Sequence, residues 1–536
     1  MIDVLDWVKK RVGGPAAPEA APAAAGTELP DLRGSDPVIA LNELSGWLDP
    51  TAREAAGADP KARGEILAQV QDAGAAHVAA LLGQYLTSAK ENQAAREATW
   101  KSLIQYEARL THALGRCAKR LLAASYEDAE LLDNAEVCAT RALHSCRVLA
   151  KICLVHYAGV PNSLWHMAYA LHAAAEEIGS ATSPVKADAD PKKITSVEQE
   201  FLRLLMLQVS APDMMAPEQI EAADRALEQV GEGLTLRPPG VADNPFCFEP
   251  QGDAAPRRAS GATQAAGETA RYFGPGMAFD ALERIHRQLA TARLQDIKVF
   301  GNDLSPTAQL GAVQHLLAFW QNQAPDLPTA RAPASGKLQL VHRYAAIWKQ
   351  LNDAQQNAGG LSLADPDDVA PQPPETWRLN ETADGELGAT FAQALGGWAK
   401  CGAVVGVTPD DDRARWVGVI RRMHRTPGDE AHADIAILSR TPRALSLREV
   451  REKGEDSAVS EAASRQFAFG SVRAVILADG ADGADGRNLL LPADGWKAGR
   501  VYETTEEPSR YLRAVQVLRY GEDYVRATFE WLPGPG

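Results

Sequence analysis

The sequence predicts an α+β protein of several domains, in which an all-α region of helical hairpins precedes two small β units. Three observations carry this prediction. The 536 residues are enough for about three or four domains. Apolar residues recur at helical spacing in long Ala- and Leu-rich stretches between residues 35 and 231. After residue 336 the apolar residues alternate in short runs separated by Gly, Asp and Pro, which is typical of antiparallel strands and small barrels.

Changes in composition set the predicted domain boundaries. The run GGPAAPEAAPAAAG after residue 12 is too poor in large apolar residues to form a core, so it is expected to be a linker. Ser35-Asp36-Pro37 then forms a helix start signal. The predicted segments are a short amphipathic helix (1–12), a Pro/Ala-rich linker (13–34), a helical domain (35–231), an irregular linker (232–275), a helical connector (276–324), a β-barrel (325–450) and a second small β domain (465–533).

The first twelve residues form a candidate docking peptide. Ile2, Leu5 and Val8 fit one helical face, with Trp7 beside them. An amphipathic helix on a tether is suited to a partner's groove or a membrane surface. The alternative is that the helix folds back on its own protein.

Charge and composition exclude several classes of function. The 55 basic and 70 acidic residues give a net charge of −15, which disfavours binding to nucleic acid. The sequence has no apolar run of the length that a membrane-spanning helix needs, and its N-terminus lacks a signal-peptide pattern. Six cysteines do not make a disulfide framework, and buried, reduced packing residues are expected. A cytoplasmic location is therefore predicted.

The sequence also predicts that the protein is not an enzyme. It contains no G-x-S-x-G, phosphate-binding loop, H-E-x-x-H or C-x-x-C pattern. The histidines and cysteines between residues 138 and 172 lack a convergent metal-ligand spacing, so helix packing is the expected role. We therefore expect no catalytic residues, no metal and no cofactor.

One motif in the β region carries a resemblance to a known family. Asn380-x-Thr382-x-x-Gly385 resembles the (D/N)-x-S-x-x-G motif of PilZ domains, which bind the bacterial second messenger cyclic di-GMP. A glycine turn at Gly402 and then the strand W-V-G-V-I-R-R, which begins at Trp416, follow the motif. This order is similar to the order of the same features in PilZ domains. The resemblance covers about 110 residues, 331–445, and implies a six-stranded barrel.

The family's R-x-x-x-R segment is degenerate here. Arg331 occupies the first position, but Ser335 stands at the second. Arginine suits this ligand because its guanidinium can bind guanine O6 and N7 or a phosphate with two hydrogen bonds. The resemblance implies a ligand site with Arg331, Asn380, Thr382 and Gly385, although Asn and Thr side chains also stabilise turns by bonding their own backbone.

A second group of arginines is a further candidate for binding an anion. Arg421 and Arg422 lie at the end of one predicted strand, with Arg425 close behind. The alternative is a strand with solvated charges.

These observations favour a non-catalytic bacterial signalling adaptor or effector. Its barrel would respond to cyclic di-GMP, and its helical domain would bind protein partners. The alternative is a ligand-free structural scaffold or a chaperone-like protein-binding module.

Overall fold

The computed structural model divides the chain into two compact units. The helical unit comprises Met1–Asp326 with Arg425–Gly428, and the barrel unit comprises Leu327–His424 with Asp429–Gly536. The residues that the structure describes are 4–12, 29–48, 59–88, 93–187, 193–238, 244–259, 269–291, 293, 296–323, 325, 331–357, 373–393, 397–410, 414–426, 428, 430–450, 471–478, 487–497, 499–505 and 508–533.

Long antiparallel helices dominate the helical unit, as the periodicity predicts. The described helices are α1 (Val4–Val12), α2 (Pro37–Ser45), α3 (Pro60–Thr87), α4 (Gln93–Ser125), α5 (Leu132–Val155), α6 (Asn162–Glu177), α7 (Val197–Val209), α8 (Pro217–Val230), α9 (Met277–Thr291) and α10 (Pro306–Trp320). None of these described helices has both the length and the apolarity that crossing a bilayer requires.

Local sequence signals explain where the helices begin. Asp36 accepts a hydrogen bond from the Val38 amide at 2.9 Å, and Pro37 occupies the first turn of α2. Ser196 caps α7 by accepting from the Gln199 amide at 3.1 Å. Trp100, Trp165 and other large side chains then fill one continuous hydrophobic core between the helices.

Helix α1 packs on its own unit. Val4 and Val8 are buried in the core of the helical unit, and Leu5 and Trp7 pack against that core. This is the fold-back arrangement that the sequence left open. Ile2 lies outside the described residues, so a docking role for this segment stays a prediction.

The interval 232–275 contains short strands where the sequence suggests an irregular linker. The strands are β1 (Thr235–Leu236), β2 (Phe246–Phe248), β3 (Arg257–Arg258) and β4 (Arg271–Gly274), in the order β1-β4-β2-β3. Phe246, Phe248 and Phe273 are buried in the helical core. The difference has a physical cause, because these aromatic side chains give the segment enough apolar surface to become ordered.

Two closed six-stranded antiparallel barrels form the barrel unit, which confirms the predicted α+β fold class. The first barrel contains β5 (Ala332–His342), β6 (Glu375–Ala383), β7 (Glu386–Ala392), β8 (Val404–Pro409), β9 (Trp416–Arg425) and β10 (Glu430–Ser439), ordered β10-β7-β6-β5-β8-β9. The second contains β11 (Arg443–Glu449), β12 (Val472–Leu477), β13 (Asn488–Pro492), β14 (Val501–Thr504), β15 (Tyr511–Tyr520) and β16 (Tyr524–Leu532), ordered β11-β12-β13-β16-β15-β14.

The second barrel begins earlier than the composition suggests. Strand β11 pairs with β12 and β14, although the predicted first barrel, 325–450, included its residues. The acidic stretch at 451–464, which was expected to join the two β units, lies outside the described residues.

A helix inserted in the first barrel joins the two barrels. Helix α11 (Tyr344–Asn357) follows β5 directly. Tyr344 Oη donates to the Arg473 carbonyl at 2.8 Å, and Trp348 Nε1 donates to the Leu445 carbonyl at 3.0 Å. Both side chains belong to an apolar cluster shared by the outer faces of the two barrels.

Candidate functional site

The structure places the predicted motif on the hairpin between β6 and β7. Asn380 and Thr382 lie on β6, and Gly385 forms the turn with φ +72°, a value that favours glycine. Thr382 pairs with Ala332 on β5, which immediately follows Arg331. The fold therefore brings Arg331 next to the Asn380 hairpin despite a separation of 49 positions. The Asn380 side chain donates to Thr390 Oγ1 on β7.

Arg331 is held by carboxylates of its own barrel. Its two terminal nitrogens each donate to one oxygen of Asp434 at 2.6 Å. Glu381 lies 3.3 Å from the same guanidinium, and Glu386 lies 3.7 Å from it. We call Arg331, Glu381, Glu386 and Asp434 the Arg331 cluster.

Of Arg421 and Arg422, the two candidate anion-binding residues at the end of one strand, only Arg421 contacts this cluster. Arg421 donates to Glu386 at 2.6 Å. Arg422 is the next residue along the strand, so its side chain lies on the opposite face. The structure thus connects Arg331 and Arg421 through Glu386 and separates them from Arg422.

Electrostatics keep Asp434 of the Arg331 cluster ionised. Burial by itself would raise the pKa of Asp434, but hydrogen bonds from Arg331 and His432 outweigh it and hold that pKa below its ordinary value. A phosphate that binds Arg331 must therefore displace an ionised carboxylate that already makes two short hydrogen bonds to it.

A second and more deeply buried set of charges lies in the helical unit. Arg147 on α5 is 1% exposed and donates to Asp224 and, at 2.8 Å, to Glu228, both on α8. Its Nε lies 3.5 Å from Glu200 on α7. Lys151, one turn along α5, lies 2.7 Å from Asp224. Charged groups bridge three helices here, and we call Arg147, Lys151, Glu200, Glu221, Asp224 and Glu228 the Arg147 network.

The cations of this network keep Asp224 and Glu200 ionised. Burial opposes the charge of Asp224, yet the attraction of Arg147 and Lys151 holds the pKa of Asp224 below its ordinary value. Arg147, His144 and Arg203 do the same for Glu200. The network is therefore a set of compensated buried charges, which is the form in which a protein interior tolerates ions.

Two cavities flank the Arg147 network. The first, of about 360 Å³, lies between α3, α4, α5 and α8. One wall is apolar, with Val78 and Leu82 of α3 and Leu110 of α4, and the other contains Arg147 and Lys151. The second, of about 300 Å³, is lined mainly by polar and charged side chains of α3, α5 and α7. Both are lined by Gln71, Ala75, His144, Arg147 and Glu228, so we treat them as one groove.

Glu107 contributes a titratable group to the first cavity. Burial raises the pKa of this carboxyl to about 7, although a hydrogen bond from Ser145 opposes the shift. Ser145 Oγ donates to Glu107 at 2.5 Å. Glu107 can thus present either a carboxylate or a carboxylic acid near neutral pH.

One group in the described residues has the composition of a metal site. Single ligand atoms of His172, Glu176 and Glu198 all lie within 4.8 Å of one another. Arg271, however, donates to both oxygens of Glu176, at 3.0 and 3.2 Å. A cation would compete with this guanidinium, so the group is better described as a buried histidine between carboxylates.

Comparison with known proteins points to the helical half of the chain. Residues 23–240 match the family model of the N-terminal domain of the cyclic-di-GMP receptor FimW. The match covers less than half of the chain and includes the Arg147 network. No curated protein and no solved structure matches the chain. The PilZ assignment, which rests on the barrel region, stays a prediction.

Sequence reasoning missed the residues of the groove. The signal that could have identified them is a stripe of basic residues on one helix and a stripe of acidic residues on another. Arg147 and Lys151 are four residues apart on α5, and Glu221, Asp224 and Glu228 recur at i, i+3 and i+7 on α8. Two such stripes of opposite charge on helices that are both buried predict that the helices pack against each other.

Proposed function

We propose that this protein is a non-catalytic signalling adaptor that responds to cyclic di-GMP and acts through protein partners of its helical unit. The observation that carries the proposal is the similarity of residues 23–240 to the N-terminal domain of a cyclic-di-GMP receptor. The groove supports it, because a buried set of cations and carboxylates beside an apolar wall suits a nucleotide, which carries phosphates, polar base edges and flat apolar faces.

The PilZ-like character of the first barrel is part of the proposal. Support comes from the closed six-stranded barrel and from the position of Arg331 beside the Asn380 hairpin. The ion pairs of Arg331 with Asp434 and its neighbours, however, leave this arginine engaged within its own barrel. We therefore propose a PilZ-like barrel whose arginine has a structural role.

The proposal includes the absence of catalysis and a cytoplasmic location. Both rest, like the adaptor role, on the similarity of residues 23–240 to a cyclic-di-GMP receptor domain. The charged side chains of the Arg147 network bind one another in ion pairs. The second candidate function, a ligand-free scaffold, is favoured by one observation, the engagement of Arg331 by three carboxylates.

Calorimetric titration of the full chain with cyclic di-GMP at physiological salt tests the proposal. We expect saturable binding with a Kd in the micromolar range or below, and no such binding of cyclic di-AMP. Heats indistinguishable from dilution at several temperatures would contradict the receptor proposal and leave the scaffold.

A further inference from the structure

We propose that the groove of the helical unit is the binding site for a guanine nucleotide, with a guanine base in the first cavity and the adjacent phosphodiester in the second. The inference rests on the proposed function and adds to it the location of the site and the parts of the ligand that are recognised there.

The size and continuity of the groove fit such a ligand. The two cavities measure about 360 and 300 Å³ and share five lining residues. Small-molecule sites typically occupy about 300–1,000 Å³. One base with its phosphodiester therefore matches the two cavities taken together better than either of them alone.

The first cavity suits a purine ring with polar edges. Val78, Leu82 and Leu110 form an apolar wall against which a ring face can pack. Lys151 on the opposite wall offers a donor for the acceptors O6 and N7 of guanine, and Glu107 offers an acceptor for its N–H donors. The presence of both a donor and an acceptor in this cavity favours guanine over adenine, which has an amino donor where guanine has O6.

The second cavity suits an oxyanion. Arg141, Lys193 and Arg203 line it. Asp72 accepts from both terminal nitrogens of Arg141, and Glu200 accepts from Arg203. The Nε donors of both arginines, however, are buried without a hydrogen-bond acceptor, and so is the hydroxyl of Thr140 on the same lining. A buried donor without an acceptor is costly, and phosphate oxygens are strong acceptors for guanidinium groups.

The charges of the second cavity predict that the base is needed for binding. The carboxylates of Asp72, Glu200, Glu228 and Glu232 line it as well, so cations and anions are balanced there. Such a cavity has little net attraction for a bare anion. We therefore expect inorganic phosphate to bind at least a hundredfold more weakly than cyclic di-GMP.

A pair of neighbouring substitutions tests the location. Ala75 lines both cavities, whereas Ala76 does not line either of them, and both side chains are exposed on α3. Ala75→Trp would fill the groove without replacing any residue of the Arg147 network. Ala76→Trp is the matched control for adding an indole to this helix. Ala79→Trp with its control Ala80→Trp is a second pair, because Ala79 lines the first cavity and Ala80 is exposed outside it.

The Kd for cyclic di-GMP is measured on the full chain by calorimetry. Each variant must keep the helical content and the unfolding temperature of the wild type. We expect at least a tenfold loss of affinity in Ala75→Trp, less than a twofold change in Ala76→Trp, and less than a twofold change in Arg331→Ala. Wild-type affinity in both Ala75→Trp and Ala79→Trp, with loss in Arg331→Ala, would overturn this inference and leave the proposed function intact. A wild-type chain that does not bind cyclic di-GMP would overturn both.

Discussion

The Arg147 network and the Arg331 cluster are both sets of carboxylates held by arginine, but the side chain of Arg147 is 1% exposed and that of Arg331 is 25% exposed. In the barrel, both terminal nitrogens of Arg331 are bonded to Asp434. In the helical unit, Arg147 lines two cavities, and the neighbouring Arg141 donates to Asp72 with both terminal nitrogens but keeps its Nε without an acceptor. An arginine at a motif position therefore marks a ligand site only if it keeps a donor for the ligand.

The largest expected effect is on stability, when the centre of the Arg147 network is removed. Arg147→Ala leaves Asp224 and Glu200 buried without their main cation, which should lower the free energy of unfolding by about 3–5 kcal/mol. Urea unfolding followed by tryptophan fluorescence measures it.

Arg331→Ala in the barrel should lower the free energy of unfolding by less than Arg147→Ala does. The side chain of Arg331 is 25% exposed, so water compensates for part of the loss in Arg331→Ala. Arg33, whose ion pair with Asp31 is almost fully exposed, serves as the control and should show no measurable change when replaced by alanine. An equal or larger effect at Arg331 would break the comparison of the two clusters.

The second effect is a pH dependence specific to the helical unit. The pKa of Glu107 is raised by burial from 4.5 to about 7, so the folded state holds a proton that the unfolded state releases. This group's contribution to stability is complete below pH 4.5 and declines as pH rises to about 7. Glu107→Gln should abolish the decline and stabilise the protein at pH 8 by about 2–3 kcal/mol.

Chemical denaturation of the wild type and of Glu107→Gln between pH 5 and 8 measures this difference. Parallel profiles for the two proteins would show that Glu107 is ionised throughout, which the account does not allow.

The third effect has the opposite pH dependence and belongs to the barrel. The pKa of Asp434 is held below its ordinary value, so its contribution to stability is present above about pH 4 and is lost as pH falls further. Asp434→Asn should destabilise the barrel by about 1–2 kcal/mol at pH 7, because the bonds of Arg331 lose their charge.

Thermal unfolding at pH 7 and pH 3 checks the sign of this effect. The difference in unfolding temperature between the wild type and Asp434→Asn should be smaller at pH 3. The affinity for cyclic di-GMP should be unchanged in Asp434→Asn. A gain in affinity would show that Arg331 becomes a ligand-binding residue when its carboxylate partner is neutralised.

The smallest effects concern the wall of α3 that lines the first cavity. A Cβ at Gly74 would lie 2.2 Å from Tyr106 Oη, whereas a Cβ at Gly83 would have no atom within 4 Å. Gly83→Ala should therefore stabilise the protein by about 0.5–1 kcal/mol through helix propensity. Gly74→Ala gains the same propensity but must displace a buried tyrosine, for a net loss of about 1 kcal/mol. Differential scanning calorimetry of both variants measures the opposite signs, and shifts of the same sign would contradict the packing described for Gly74.

Local patterns predicted the classes of element well. The helices of the first half and most strands of the second follow from periodicity, and Gly385 lies at the turn that the Asn380 motif requires. The strands of 235–274 could not be predicted, because their order comes from burial of Phe246 and Phe273 against distant helices.

The candidate site could be predicted only in part. The motif located Arg331 beside the Asn380 hairpin, but its partner Asp434 is 103 positions away and carries no signal of its own. The groove depends on the packing of α3, α5, α7 and α8, so Arg141 and Arg203 meet only in the folded chain. The local sequence indicated this groove only through the stripes of charged residues at helical spacing on α5 and α8.

Hydrogen exchange of the full chain, with and without cyclic di-GMP, tests the central claim most directly. The account predicts that the ligand slows exchange in residues 71–82 of α3 and 140–151 of α5, while residues 332–342 and 375–392 of the first barrel are unchanged. Protection confined to those two barrel segments would contradict the claim, because it would place the ligand at Arg331 and the Asn380 hairpin.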